Sequence, residues 1–361
     1  MNRDIEKTIA SLPKDQESFD PLLISDLSNL TRRQQELLTK VWPQIPLYKR
    51  RHMIKLMNEK ADEDIQLDFS AVCMVGLNDE DAQVRHLSIK GLWECENIKL
   101  IRIFLNLLQQ DPSVEVRASA ASALGRFVFQ GEMEYLTEAL LQKIVERLVQ
   151  TFNDESLSVA IRRRAIESLA YSSDSRVHAM IDRAYQDPSE EMQISAIFAM
   201  GRTSDPYWSG SVRAELFNDN PAFCFEAVRA AGELADSRSV NRIALLLVDE
   251  QQDQQIREMA AWALGEIGGP ISKKVLTSVV KTKDATLRRI AQESLAEMTL
   301  LDDENFGMGF FVPDMFDDEN DEEEWFEQNE NGYYQDQDDE DDEYDEYDYL
   351  DSNQDWYSFP L

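Results

Sequence analysis

Between residues 84 and 296 the apolar and polar positions recur in register. Seven ten-residue segments align: VRHLSIKGLW from Val84, VRASAASALG from Val116, IRRRAIESLA from Ile161, MQISAIFAMG from Met192, FCFEAVRAAG from Phe223, IREMAAWALG from Ile256 and LRRIAQESLA from Leu287. Successive starts lie 32, 45, 31, 31, 33 and 31 residues apart. The fifth column reads Ser88, Ala120, Ala165, Ala196, Ala227, Ala260 and Ala291, and the eighth holds only Gly, Ala and Ser. Positions one, five, eight and nine fall on one stripe of a 3.6-residue helix. Small residues there let neighbouring helices approach closely, and the large first and ninth residues fill the gaps.

A second apolar stretch at helical spacing follows each segment, over 98–108, 135–152, 176–185, 212–217, 240–248 and 275–280. Asp111-Pro112-Ser113, Asp187-Pro188-Ser189 and Asn220-Pro221 precede first helices, where Asp or Ser caps free N–H groups and Pro suits a helix start. The 45-residue gap predicts a longer second helix or loop over 130–146. Each unit is then an αα-hairpin unable to bury its apolar stripe alone, and stacking such units gives one continuous core. The expected fold is all-α, a right-handed αα-superhelix. Upstream, 30–42 and 47–57 form a helix pair around Pro43 and Pro46, and 69–77 leads into the first repeat. This divides the chain into a loose polar start (1–20), a helical cap (21–78), an array of about seven repeats (79–300) and a tail (301–361).

The pattern D-P-x-x-x-V-R-x-x-A-x-x-A-L-G at about 31 residues resembles the short bacterial HEAT-like repeat, as in bacterial HEAT-repeat proteins and phycobilisome-lyase-type subunits. That resemblance covers roughly 79–300. It implies a solenoid, in a family that includes scaffolds, adaptors and a few enzymes.

Charge changes the picture at the C-terminal end. The 361 residues hold 36 basic and 70 acidic side chains, a formal net charge of −34. From Leu301 onward there are 25 acidic residues and no basic one, leaving 45 acidic against 36 basic in the first 300. Like charges at that density oppose compaction, which predicts a disordered tail. The tail also holds 14 of the 33 aromatic residues. Trp325-Phe326, and Trp356, Tyr357 and Phe359 near the free carboxylate, are its candidate anchors for an apolar groove. Three basic clusters, around Lys49-Arg50-Arg51, Arg162-Arg163-Arg164 and Lys273-Lys274, are candidate contacts for a partner or for the tail itself, whose tether keeps its local concentration high. The second column of the repeats, Arg85, Arg117, Arg162, Gln193, Cys224, Arg257 and Arg288, reads as structural pairing with nearby acidic residues such as Asp79 or Asp111.

The residues argue against catalysis. His52, His86 and His178 are the only histidines, and none is followed by Glu, so the His-Glu iron dyads of deoxyhypusine hydroxylase, a HEAT-like enzyme, are missing. There is no P-loop, G-x-G-x-x-G, G-x-S-x-G or H-E-x-x-H. Cys224 lies in a repeat helix between two phenylalanines and reads as a packed thiol. The three cysteines have neither zinc nor disulfide spacing and fit a reducing compartment. An EF-hand loop starting at Asp336 would need Gly and Glu where Asp341 and Tyr347 stand. The acidic balance disfavours nucleic acid and anionic membranes, no run is long enough to span a bilayer, and the N-terminus has no secretory h-region. The sequence therefore reads as a cytoplasmic, non-catalytic protein-interaction scaffold without a cofactor, using a groove lined by the second helices. Its acidic tail recruits a basic partner or masks the groove. The alternative it leaves open is a subunit of a HEAT-like lyase or other cofactor-handling enzyme.

Overall fold

The computed structural model describes residues 5–13 and 22–307, and among these the regular structure is helical, with no β-strand. Short helices α1 (Ile5–Ser11) and α2 (Leu22–Ser25) lead into α3 (Arg32–Val41), α4 (Leu47–Glu63) and α5 (Ser70–Gly76). The repeats follow as α6 (Ala82–Lys90), α7 (Lys99–Gln110), α8 (Val114–Glu132), α9 (Glu138–Asn153), α10 (Val159–Leu169), α11 (Arg176–Tyr185) and α12 (Glu190–Arg202). They continue as α13 (Ser209–Glu215), α14 (Pro221–Glu233), α15 (Val240–Val248), α16 (Gln254–Ile267), α17 (Gly269–Val279) and α18 (Ala285–Gly307). The seven aligned segments lie on the even-numbered helices α6 to α18.

The turns between repeats are built from their own short polar side chains. Asp111 Oδ1 accepts from Ser113 N at 2.9 Å, and Ser113 Oγ then accepts from Val116 N at 3.4 Å to cap α8. Asn218, Asn220 and Ala222 repeat the arrangement ahead of α14 at 2.9 and 3.0 Å. The second-column side chains close the other end of each turn by donating to backbone carbonyls there. Arg117 Nε reaches Leu108 O at 2.8 Å, Arg162 Nε reaches Phe152 O at 3.1 Å and Arg257 Nε reaches Leu247 O at 3.2 Å. Gln193 does the same to Asp187 O at 2.9 Å, and Arg288 to Thr282 O at 3.2 Å. A guanidinium here meets unpaired carbonyls at the negative end of the helix dipole. At Cys224 the thiol reaches Leu216 O only at 3.9 Å, and Arg242 Nε, on α15, donates to the same oxygen at 3.1 Å. The carboxylate pairing expected of the column is made by Arg85, with two 2.8 Å bonds to Asp111, and more loosely by Arg162, whose Nη2 lies 3.8 Å from Asp187 Oδ2.

Packing follows the stripe. All seven fifth-column residues are fully buried, as are Val84, Val116 and Met192 in the first column. Each odd-numbered helix from α5 to α15 packs on the even one that follows it, and successive even helices run side by side. Small residues set that spacing. A methyl group on Gly201 would sit 2.7 Å from Ala230 Cα, and one on Gly125 would sit 3.2 Å from Ser168 Cα. Successive odd helices touch far less. The even helices therefore form the closely spaced layer of the stack, and the second helices, along which the groove was expected, form the looser one.

Three element boundaries differ from the sequence reading. Residues 5–12 are not loose: Ile9 and Leu12 are buried, and α1 packs on α3. The 45-residue gap is taken up by a long α8 as well as by α9, which starts at Glu138. Helix α18 runs past residue 300 to Gly307. The remainder of the expected tail, with the anchors Trp325, Phe326, Trp356, Tyr357 and Phe359, lies outside the described residues.

Candidate functional site

The core uses positions one, five, eight and nine of each even helix. Positions three, four, seven and eleven fall together on the opposite side, again one turn apart. Across α10 this stripe is Arg163, Arg164, Glu167 and Tyr171; across α12, Ile194, Ser195, Phe198 and Arg202. It continues as Phe225, Glu226, Arg229 and Glu233 on α14, and as Glu258, Met259, Trp262 and Glu266 on α16. Aromatic and arginine side chains thus line the tightly spaced layer over four consecutive repeats.

A single network ties the first three of these helices together. Arg164 Nη1 donates to Glu167 Oε2 at 2.7 Å, and Glu167 Oε1 accepts from Ser195 Oγ at 2.5 Å. Arg163 Nε donates to the same hydroxyl at 2.9 Å. One repeat on, Arg229 binds Glu226 Oε2 through Nε at 2.9 Å and Glu233 Oε1 through Nη1 at 3.1 Å. Its guanidinium lies 3.9 Å over the Phe198 ring, and Arg202 Nε approaches Glu233 Oε1 at 3.3 Å. Glu226 and Arg229 are almost completely buried, at 3% and 6% exposure.

The two carboxylates at the ends of the network differ. Burial pushes Glu167 up, but Arg164, Arg163 and the Ser195 hydroxyl outweigh it and bring the group below the usual glutamate range. Burial dominates at Glu233, which is held above that range because Arg229 and Arg202 offset it only in part and Glu226 repels it. Its Oε2 is buried without a hydrogen-bond partner. Burial also raises the Tyr171 phenol.

The basic clusters singled out in the sequence do not converge. Lys49 is buried and donates from Nζ to Leu12 O at 2.9 Å. Arg50 is buried too, with Asp79 at 2.5 Å and Glu80 at 3.0 Å, and Arg51 holds Asp81 through two bonds of 2.9 and 2.5 Å. These charges tie α1 and the α5–α6 turn to α4. A surface role for Lys49 and Arg50 is corrected accordingly: four-carbon stems and forked donors reach inward to acceptors that α4 itself does not carry. Arg163 belongs to the network above. Lys273 and Lys274 are exposed and, with Pro270, Thr277, Ser278 and Lys281, line a pocket of about 490 Å³ beside α17. Sequence reasoning missed the stripe because it followed the small and apolar columns. The signal was present in the seventh column, where Glu167, Phe198, Arg229 and Trp262 stand in successive repeats.

Among the described residues no group of His, Cys, Asp or Glu is arranged to hold a metal ion, and no helix is long and apolar enough to cross a membrane. HEAT repeats match residues 72–150 and 211–296. The chain is 24% identical over 194 residues to the uncharacterized phycocyanin operon protein Z of Pseudanabaena tenuis, an alignment covering 54% of this chain and 77% of that one. Among solved structures it is similar to the complex of CpcE and CpcF of phycocyanin lyase from a Nostoc species, with 14% identity and a TM-score of 0.49 over 79% of this chain and 97% of that one. It is also similar to human deoxyhypusine hydroxylase in complex with glycerol, with 14% identity and a TM-score of 0.34 over 82% and 97%.

Proposed function

Because this chain is a HEAT-repeat protein, we propose that it binds another protein along the even-helix stripe of α10 to α16, acting as a non-catalytic scaffold. One observation carries the reading. The stripe presents the partly exposed Tyr171, Phe198, Arg202 and Trp262, of the types that dominate binding energy at protein interfaces, over the buried Glu226 and Arg229 that hold them. Arg229 and Glu226 direct their charges at each other and at Phe198 and Glu233, so the face enters a complex with its side chains ordered and loses little entropy there. The 25 acidic residues beyond residue 300 add long-range attraction for a basic partner.

The test is site-specific photo-crosslinking in the source cells. A photoreactive residue at Ile194 or Met259, both partly exposed on the stripe, should trap a partner. The same residue at Gln142 or Lys143, exposed on α9, should not. Crosslinks from α9 alone, or from none of the four positions, would sink the reading.

The likeness to a phycocyanin operon protein favours a second reading, in which the chain serves a lyase-type complex acting on a phycocyanin-related protein. Mixing the full chain with phycocyanin subunits, with and without free bilin, separates the two readings. Faster chromophore attachment, read as visible absorbance on the subunit, supports the lyase subunit; retention without any change in attachment supports the scaffold.

A further inference from the structure

The step from α12 to α14 contains a complete cation site made by the chain itself. Phe198 provides a ring, Arg229 lies 3.9 Å above it, and the carboxylates of Glu226 and Glu233 grip the guanidinium. One aromatic further along, no arginine or lysine among the described residues lies over the ring. Trp262 is the seventh residue of its segment, as Phe198 is of its own, and is half-buried. Its indole lies across α14, since a methyl group on Gly232 would meet the ring at 2.9 Å. Glu233 is the residue after Gly232. Glu266 stands one turn beyond Trp262, and Glu297 holds the same eleventh position on α18. Where α14 offers Arg229 at position seven, α18 offers Glu293, and the nearby Arg289 is bound to it at 2.7 Å with both side chains exposed.

The carboxylates are in an uncomfortable state as they stand. Partial burial, then the like charges of Glu297 and Glu233, hold Glu266 above its ordinary pKa. Glu233 itself is held by Arg229 and Arg202 on the side facing α12. A bound cation beside Trp262 would relieve the repulsion between Glu266 and Glu297.

We propose that Trp262, with Glu266 and Glu297, is a docking place for an arginine side chain presented by a partner protein. A planar guanidinium stacks on an indole and bonds carboxylates at its edge, which a compact ammonium does less well. The chain's own Arg229 on Phe198 shows that geometry. This inference rests on the even-helix stripe being the binding face, and it names the chemistry of what binds there.

Fluorescence anisotropy of two labelled peptides against the full-length chain tests it, one peptide alternating arginine with serine and the other lysine with serine. The acid-rich segment beyond 300 is the same in every variant, so the differences between variants decide. Trp262→Ala should weaken the arginine peptide about ten-fold and shrink its advantage over lysine, while Trp262→Phe keeps most of it. Glu266→Gln, a change at an exposed side chain, should weaken binding several-fold with unchanged far-UV circular dichroism. Arginine-peptide affinity unchanged in both Trp262→Ala and Glu266→Gln overturns the proposal. Should crosslinks at Ile194 and Met259 persist beside that result, the binding face stands and only the arginine site falls. Lost crosslinks with intact arginine selectivity mean the opposite: the arginine site stands and the wider face falls.

Discussion

Arg229 is the residue whose loss the structure penalises most clearly. Replacing it with alanine leaves Glu226, 3% exposed, and Glu233 without the guanidinium that now binds both, and uncovers the ring of Phe198. Removing one partner of a buried ion pair costs roughly 3–5 kcal/mol, because the remaining charge keeps its desolvation penalty. The cation–ring contact adds roughly 1–2 kcal/mol when desolvated. Part of this is recovered when the carboxylates take up protons, so a net loss of about 3–5 kcal/mol is expected at neutral pH. Repeat arrays need not unfold in one step. Amide hydrogen exchange along α12 and α14 is therefore the primary readout, with urea unfolding followed by circular dichroism beside it. Adding Glu226→Gln to Arg229→Met, with Glu233 kept as the partner of Arg202, should restore most of the loss, since the remaining charges are then paired. A cost under about 1 kcal/mol for Arg229→Ala, or no recovery in the double variant, would refute the account of a charge-satisfied network.

Gly201→Ala should destabilise by about 1–3 kcal/mol despite better helix propensity, because the added methyl meets Ala230 Cα at 2.7 Å; Gly210→Ala, which meets nothing within 4 Å, should gain up to about 1 kcal/mol. Thermal melts of the two variants, which must shift in opposite directions, check this. Arg117→Met should speed amide exchange at the end of α7, where Leu108 O loses its 2.8 Å donor, at a cost of about 1–3 kcal/mol. Glu167 and Glu233 should respond to pH with opposite sign. The lowered pKa of Glu167 contributes stability above the unfolded value of about 4.3 and loses it in acid, so Glu167→Gln costs most at neutral pH. The raised pKa of Glu233 contributes stability below that value and loses it as pH climbs through the folded pKa, so Glu233→Gln fares best against the parent at neutral pH. Denaturation midpoints of each variant from pH 4 to 8 would show the two differences diverging.

The array was legible because its spacing is written in residues that have only one use. Alanine and glycine at positions five, eight and ten are what allow helix axes to approach, and they recur regardless of what lies outside. The first helix was missed because Ile5, Ile9 and Leu12 sit among charged residues, and its burial depends on α3, 20 residues and more away. The basic run at Lys49 misled for a related reason. A row of charges reads as solvated until tertiary contacts supply Leu12 O, Asp79 and Glu80. The proposed binding face was hidden in plain chemistry: its residues differ from repeat to repeat, so alignment by similarity passes over them, and only the shared helix face unites Phe198, Arg229 and Trp262.

The carbonyl-binding rungs decide how a broken end of the array spreads. Arg117, Arg162 and Arg257 each secure the helix immediately before their own, so each rung ties a hairpin only to the one it directly follows. Leu216 O depends instead on Arg242, a side chain from the hairpin ahead. Fraying that starts at the C-terminal side and reaches α15 therefore removes the shorter donor to Leu216 O and leaves it only the Cys224 thiol at 3.9 Å, so the end of α13 is loosened while α14 is still in place.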